Sequence, residues 1–300
     1  MILELSHIEK SFGTKRVLQD LCLRAESGRA FGLLGRNGAG KTTTIRILMG
    51  VFPASGGAVL VDGAPIDHQR IGIGYLPEER GLYPKKKIGE QLVYFAELKG
   101  MRRRAAVRAV DYWLERLGMS EHRNKRLDTL SKGNQQKIQL VTALTHDPDI
   151  IILDEPFSGL DPVNAMLLEE VVKEQIAQGK IVLFSSHQMS YVETFCDDIA
   201  ILHQGRIALS GDLRTLKRSY KRDRLVVRSS EAAQIAAALG EAATLLDNGD
   251  LLVQLAQPDD KAAMMQRLAG DFDIDAMSVF EPSLNDIFVA VAGDTEKEGL

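Results

Sequence analysis

The stretch Gly35-Arg36-Asn37-Gly38-Ala39-Gly40-Lys41-Thr42 constrains this chain more than any other. It fits G-x-x-x-x-G-K-[ST], a loop whose backbone N–H groups turn inward around phosphates. Its flanks have the form the loop requires. Ala30–Leu34 is short and apolar, follows Ser27-Gly28, and predicts a buried strand. Thr43–Met49 predicts a helix that stops at Gly50. A helix N-terminus behind such a loop contributes about 0.3–1 kcal/mol per favourable anion contact. In this geometry Lys41 reaches the β- and γ-phosphates of a nucleotide, and the Thr42 hydroxyl ligates magnesium.

Other segments read as parts of the same site. Ile150–Glu155 is a continuous apolar run ending in two carboxylates, as in a strand buried within a parallel sheet. Ligands of α/β sheets bind at the C-terminal ends of such strands. Asp154 suits a magnesium shell, and Glu155 is placed as general base for an attacking water. A strand over Ile181–Phe184 ends in Ser185-Ser186-His187, which puts a histidine at the same sheet edge. Ser131 predicts the cap of a helix running to about Thr145. Phe12 reads as an aromatic in the turn Lys10-Ser11-Phe12-Gly13. It stacks on an adenine ring or serves as a partly buried turn residue.

The rest of the chain supports an α/β class. Ile2–Leu5 and Val17–Arg24 predict antiparallel strands around a polar turn, with further strands at Ala58–Val61 and Gly72–Leu76. Helical periodicity starts near Ile88 and resumes over Arg103–Leu117, an expected helical subdomain over about residues 84–145. This block is basic, with Lys85-Lys86-Lys87 and Arg102-Arg103-Arg104. It is a solvated face or a surface toward anionic lipid and a membrane partner. Ile199–Leu202 and Arg206–Leu209 predict a hairpin, and a helix begins at Leu213. The charged run Lys217–Arg224 reads as a linker. Beyond it the order β-α-β-β-α-β predicts a small α+β, ferredoxin-like domain that closes on a capped helix after Pro282. The expected division is 1–218, a linker at 219–223, and 224–300.

Composition sets the outer bounds. At 45% apolar and 26% charged the chain is globular, and no run approaches the length of a membrane span. The N-terminal residues lack the form of a signal peptide, which gives an expectation of a cytoplasmic protein held at a membrane by partners. The net charge of −4 argues against general nucleic-acid binding. Cys22 and Cys196 lie in apolar runs and are expected to be buried reduced thiols.

Taken in order, these motifs resemble the ATP-binding cassette (ABC) ATPases over residues 1 to about 218. The resemblance implies a P-loop nucleotide-binding cassette with an antiparallel β subdomain and a helical subdomain. It implies Phe12 as the adenine-stacking aromatic, Gly35–Thr42 with Thr43 as the Walker A nucleotide contacts, and Leu130–Gln135 as the signature sequence. Asp154 and Glu155 match the Walker B pair, Ser158–Asp161 the D-loop, and His187 the switch histidine. Ser131 and Gly133 would contact the γ-phosphate held by a second cassette. Two departures stand out. Lys132 and Asn134 replace a glycine and the glutamine of the usual L-S-G-G-Q, and Glu78 stands where the family usually carries a glutamine. Glu78 can still bind the metal with Thr42 and Asp154, but it adds negative charge.

The signature, the Tyr75–Tyr83 segment and the C-terminal layout look like the ATPase subunits of ABC-2-type exporters, including sodium-efflux and drug-efflux systems. The resemblance implies ATP and Mg2+ as cofactors. It also implies transmembrane permease subunits and a second nucleotide-binding domain as partners, no nucleic acid, and a location on the inner face of the cell membrane. The C-terminal domain is expected to add dimer contacts. A catalytically weak cassette in a heterodimer and a soluble cassette unlinked to transport are the alternative readings.

Overall fold

The computed structural model describes residues 1–79, 81–157, 160–186, 188–220 and 222–293. The chain opens with β1 (Ile2–Phe12) and β2 (Lys15–Glu26), then β3 (Ala30–Gly35) and α1 (Lys41–Leu48). Strands β4 (Gly56–Val61), β5 (Ala64–Pro65) and β6 (Ile73–Leu76) precede helices α2 (Ile88–Leu98), α3 (Arg103–Arg116) and α4 (Lys132–Leu144). Next come β7 (Ile150–Asp154), α5 (Pro162–Ala177), β8 (Ile181–Ser185) and α6 (Met189–Phe195). The hairpin β9 (Asp198–His203) and β10 (Arg206–Asp212) leads into α7 (Leu213–Ser219). The remainder is β11 (Arg224–Arg228), α8 (Ala232–Leu239), β12 (Ala243–Leu245), β13 (Leu251–Gln254), α9 (Lys261–Asp271), β14 (Ala276–Val279) and α10 (Leu284–Ala292). Two compact units result: Met1–Leu213 with the described residues from Phe288 on, and Arg214–Ile287.

In the first unit a six-stranded sheet runs β10-β9-β3-β8-β7-β6. All its neighbouring pairs are parallel except the edge pair β10–β9. Every residue of β3, β7 and β8 is buried, which explains their unbroken apolar runs. Burying one such Ile, Leu or Phe contributes about 1.5–3 kcal/mol relative to leaving it in water. A second sheet, β2-β1-β4-β5, is antiparallel. Its inner residues Leu3, Leu5, Ile8, Leu18 and Leu21 share one core with Ile45, Ile47 and Leu48 of α1 and with Phe31, Ile150 and Ile152 of the parallel sheet. Helices α2, α3 and α4 pack on one another through buried residues including Leu92, Val110, Trp113 and Ile138.

Two sequence expectations are corrected here. The polar stretch Ser6–Ser11 is strand, not turn: β1 continues to Phe12 and pairs with β2 as far as Phe12↔Lys15, leaving only Gly13-Thr14 to reverse the chain. Register shifts between Leu5 and Ser11 let β1 turn its polar side chains outward and keep pairing. Phe12 is therefore the last residue of a strand. Cys22 is exposed, because the alternation of β2 points Leu21 and Leu23 inward and Cys22 outward; Cys196 is buried as expected. The run Lys217–Arg224 contributes Lys217, Arg218 and Ser219 to α7 and Arg224 to β11.

The second unit has the antiparallel order β12-β13-β11-β14. Leu225, Val227, Leu251 and Val253 form its core with Ile235 of α8 and Leu268 of α9. This is the split βαβ, ferredoxin-like arrangement that the order of its segments predicted.

Candidate active site

The phosphate loop links the buried end of β3 to the first turn of α1. Gly40 has φ +117°, a backbone conformation that calls for glycine, and an added Cβ would also have to displace the Leu18 Cδ2 methyl, 2.6 Å away. Arg36, Asn37, Gly38 and Thr42 are exposed, Thr43 is half-buried, and Gly35, Ala39 and Gly40 are buried. Lys41 Nζ donates to Gly35 O at 2.5 Å and to Arg36 O at 3.4 Å. Burial holds the Lys41 ammonium below its ordinary pKa, against the opposing pull of Glu155, Asp154 and Glu78.

Those three acids act electrostatically on one ammonium, Glu78 from beyond the end of β6 and Asp154 with Glu155 from the end of β7. Asp154 ends β7 and Glu155 follows it, both buried. Burial pushes the Asp154 carboxyl up; the neighbouring Ser185 hydroxyl partly offsets this, and Glu78 and Glu155 push it further. Ser185 Oγ is buried and closes no hydrogen bond of good geometry. Tyr75 donates to Asp154 Oδ2 at 3.4 Å, and its own hydroxyl is pushed up to about 12 by burial and by the Asp154 charge. Glu155 has φ +49°. Its N–H donates to Ser185 O at 2.8 Å, and Ser186 Oγ donates to Glu155 Oε2 at 3.0 Å. These bonds fix where the carboxylate points.

The oxygen set of Thr42, Asp154 and Glu78 fits a hard cation such as magnesium. Burial first, and then the charges of Glu78 and Glu155, raise the Asp154 carboxyl, and a cation held there would oppose both effects.

Phe12 is 48% exposed. Phe52 meets it edge-to-face at 5.5 Å, and Lys10 Nζ lies 5.1 Å from its ring centre. The ring is steadied on one side and open on another, as stacking requires.

Ser131 caps α4 by accepting from Asn134 N–H at 3.3 Å. Gly133 is buried, and a Cβ there would lie 3.3 Å from Asn164 Nδ2 on α5. Asp161 caps α5 through Asn164 N–H at 2.9 Å. Among the described residues, the structure brings together Lys41, Glu78, Asp154 and Glu155. Ser131 and Gly133 have their recorded neighbours on α4 and α5. His187 lies outside the described residues, as do Ser158 and Gly159.

Sequence reasoning missed Tyr75, Ser185 and Ser186 as parts of this site, and it missed α6. The register Asp154↔Ser185 shows what was needed: once β7 and β8 are parallel neighbours, the serine falls beside the acid. Helix α6 brings Tyr191 and Phe195 to stack on Phe157, with ring centres 4.2 and 5.0 Å away. This stack anchors the segment that leaves Glu155.

The ABC transporter family matches residues 18–158, and the family of ATP-binding protein DrrA1-3-like C-terminal domains matches residues 211–292. The chain is 42% identical over 294 residues to the uncharacterized ABC transporter ATP-binding protein YhaQ of Bacillus subtilis, covering 97% of this chain and 99% of that one. It is 34% identical to the linearmycin resistance ATP-binding protein LnrL of the same organism, over 70% of this chain and 69% of that one. A solved ATP-binding subunit of an ABC transporter superposes with a TM-score of 0.67 at 31% identity, covering 73% of this chain and 93% of that one. No helix among the described residues is long and apolar enough to cross a membrane.

Proposed function

Since the chain belongs to the ATP-binding proteins of ABC transporters and is thereby a nucleotide-binding ATPase, we propose that it powers an ABC-2-type exporter. In this reading two cassettes close head to tail over two ATP molecules. Residues 1–218 form the nucleotide-binding domain, 219–223 a linker and 224–300 an accessory domain. The similarity to a resistance protein and to the DrrA1-3-like C-terminal domains supports the export assignment.

One observation carries the dimer reading. Lys41, Asp154 and Glu155 form one charged cluster, while Ser131 and Gly133 present the start of α4 among residues of α4 and α5. A second copy would supply Ser131 and Gly133 to the γ-phosphate held by Lys41. ATP then binds the closed pair better than the open one and shifts that population.

The chemistry follows from the residues. Phe12 stacks on the adenine, and the N–H groups of Gly38–Thr43 cradle the phosphates. Thr42, Asp154 and Glu78 would hold magnesium, which supplies charge compensation on the phosphates when bound. Glu155 is oriented by Ser186 and accepts the proton of the attacking water. His187 positions that water and the γ-phosphate. Lys41 stabilises the charge that develops during transfer. Loss of the γ-phosphate removes its contacts with Ser131 and Gly133, and the pair opens.

The basic, exposed residues Lys85–Lys87 and Arg102–Arg104 suit a position on the inner face of the cell membrane beside permease subunits. The test is affinity capture of the tagged chain from detergent-solubilised membranes, with partners identified by mass spectrometry. A stoichiometric polytopic membrane protein is expected. Recovery of the chain without one removes the transport assignment and leaves the ATPase intact.

A further inference from the structure

A second cluster of ligating side chains shares no residue with the nucleotide site. His7 Nδ1 lies 2.6 Å from Asp20 Oδ1, and Cys22 Sγ lies 3.7 Å from His7 Nδ1. All three ligand atoms fall within 4.8 Å of one another, and all three residues are exposed. The backbone is shaped to this arrangement. His7 sits in the register shift between Leu5↔Leu23 and Ile8↔Leu21, and Asp20 in the shift between Ile8↔Leu21 and Lys10↔Leu18.

His7 has φ +51° and Asp20 φ +56°, left-handed conformations that cost a non-glycine residue on the order of 1 kcal/mol. On the other side of β1, Gly57 of β4 has φ +78°. A Cβ there would lie 2.2 Å from His7 O, so the bulge is clamped between two neighbouring strands. His7 N–H also donates to Cys22 Sγ at 3.4 Å, which fixes the sulfur beside the imidazole.

We propose that His7, Asp20 and Cys22 bind a divalent cation of the zinc class, with three protein ligands and one position open to water. Zinc bond lengths of about 2.0–2.1 Å to N and O and about 2.3 Å to S place tetrahedral neighbours roughly 3.3–3.6 Å apart. The sulfur–nitrogen separation is already close to that value. The His7–Asp20 contact opens by less than about 1 Å as the cation replaces the hydrogen between them. Imidazole and thiolate select zinc-like ions over magnesium or calcium, so this site does not compete with the nucleotide site for its metal. Binding releases the thiol proton to solvent, the imidazole carries its hydrogen on Nε2 so that Nδ1 is free to ligate, and affinity tightens as pH rises. The cation would tie β1 to β2 five residues before Phe12.

The test uses the full chain, stripped with chelator, without nucleotide, and titrated with Co2+ as a spectroscopic probe. One equivalent is expected to give tetrahedral-type visible absorbance and a thiolate-to-cobalt charge-transfer band, both removed by Zn2+. Cys22→Ser loses the charge-transfer band. His7→Asn and Asp20→Asn bind at least about tenfold more weakly. Cys196→Ala leaves the titration unchanged, because Cys196 is buried. Circular dichroism of each variant confirms the fold, and the exposed His7 and Asp20 variants give the same readout if Cys22→Ser is lost. A titration without the band, or a band that survives Cys22→Ser, overturns the proposal.

Discussion

Asp154 and Asp250 are each 6% exposed, yet their surroundings shift the two carboxyls in opposite directions. Asp250 opens the way into β13 and is gripped by Arg228, with Nε at 2.9 Å and Nη2 at 3.1 Å, and by Asn248 Nδ2 at 3.1 Å. The Arg228 hydrogen bonds hold its carboxyl below the usual carboxylate range. Asp154 ends β7 with a tyrosine hydroxyl and two further acids as neighbours, and burial holds its carboxyl above that range. Burial alone does not separate a structural acid from a functional one. Their partners differ: Asp250 is paired with Arg228 of its own unit, and Asp154 stands beside Tyr75 and two further acids, the setting in which we propose a cation binds.

The comparison can be sharpened by substitution. Glu155→Gln carries the largest effect. ATP hydrolysis should fall by about 10²–10⁴-fold while ATP binding persists and traps a dimer. Turnover and equilibrium binding measure this, and hydrolysis at the parent rate removes the general-base role. Asp154→Asn should lower turnover by about 100-fold and raise the magnesium concentration needed. The same variant should not destabilise the nucleotide-free cassette and should raise its melting temperature. The sign follows from the raised folded-state pKa: ionising Asp154 costs stability above that pKa, so the gain is present at neutral pH and fades in acid. A fall in melting temperature at pH 7 would place Asp154 with Asp250.

Phe12→Ala should weaken ATP binding about tenfold and leave the maximal rate unchanged. Unchanged affinity in a binding titration removes the stacking role. Asp250→Asn has the smallest effect on activity, which should equal the parent's, but it should lower the melting midpoint of the C-terminal unit at pH 7. Its depressed pKa means the contribution is present above the unfolded-state value and is lost as pH falls through the folded one. The gap between variant and parent therefore closes in acid. A gap that persists there assigns it to packing.

Much of this was legible in the sequence where one residue type does one job. The strands at Ala30, Ile150 and Ile181 are buried on both faces, so their apolar runs are unmistakable. Ser131 announces a helix start because few residues can cap a helix. What failed depends on pairing. Ser6–Ser11 resembles a turn until β2 and β4 are laid beside it. Ser185, Ser186 and Tyr75 gain meaning only from the registers of β6, β7 and β8, which no local pattern encodes. Helix α6 is short and aromatic, and its stack on Phe157 is a tertiary event.

The left-handed backbone of Glu155 has a consequence for anyone who evolves this chain. Its conformation is one that glycine or asparagine enters more readily than glutamate. A screen that rewards thermal robustness alone would tend to lose the carboxylate at this position. With Glu155 as the general base we propose, a screen that rewards turnover would restore it against the preference of its own main chain. Residue 155 is thus a place where the two selections pull in opposite directions, and pooled variants sorted by heat survival should be depleted in active protein.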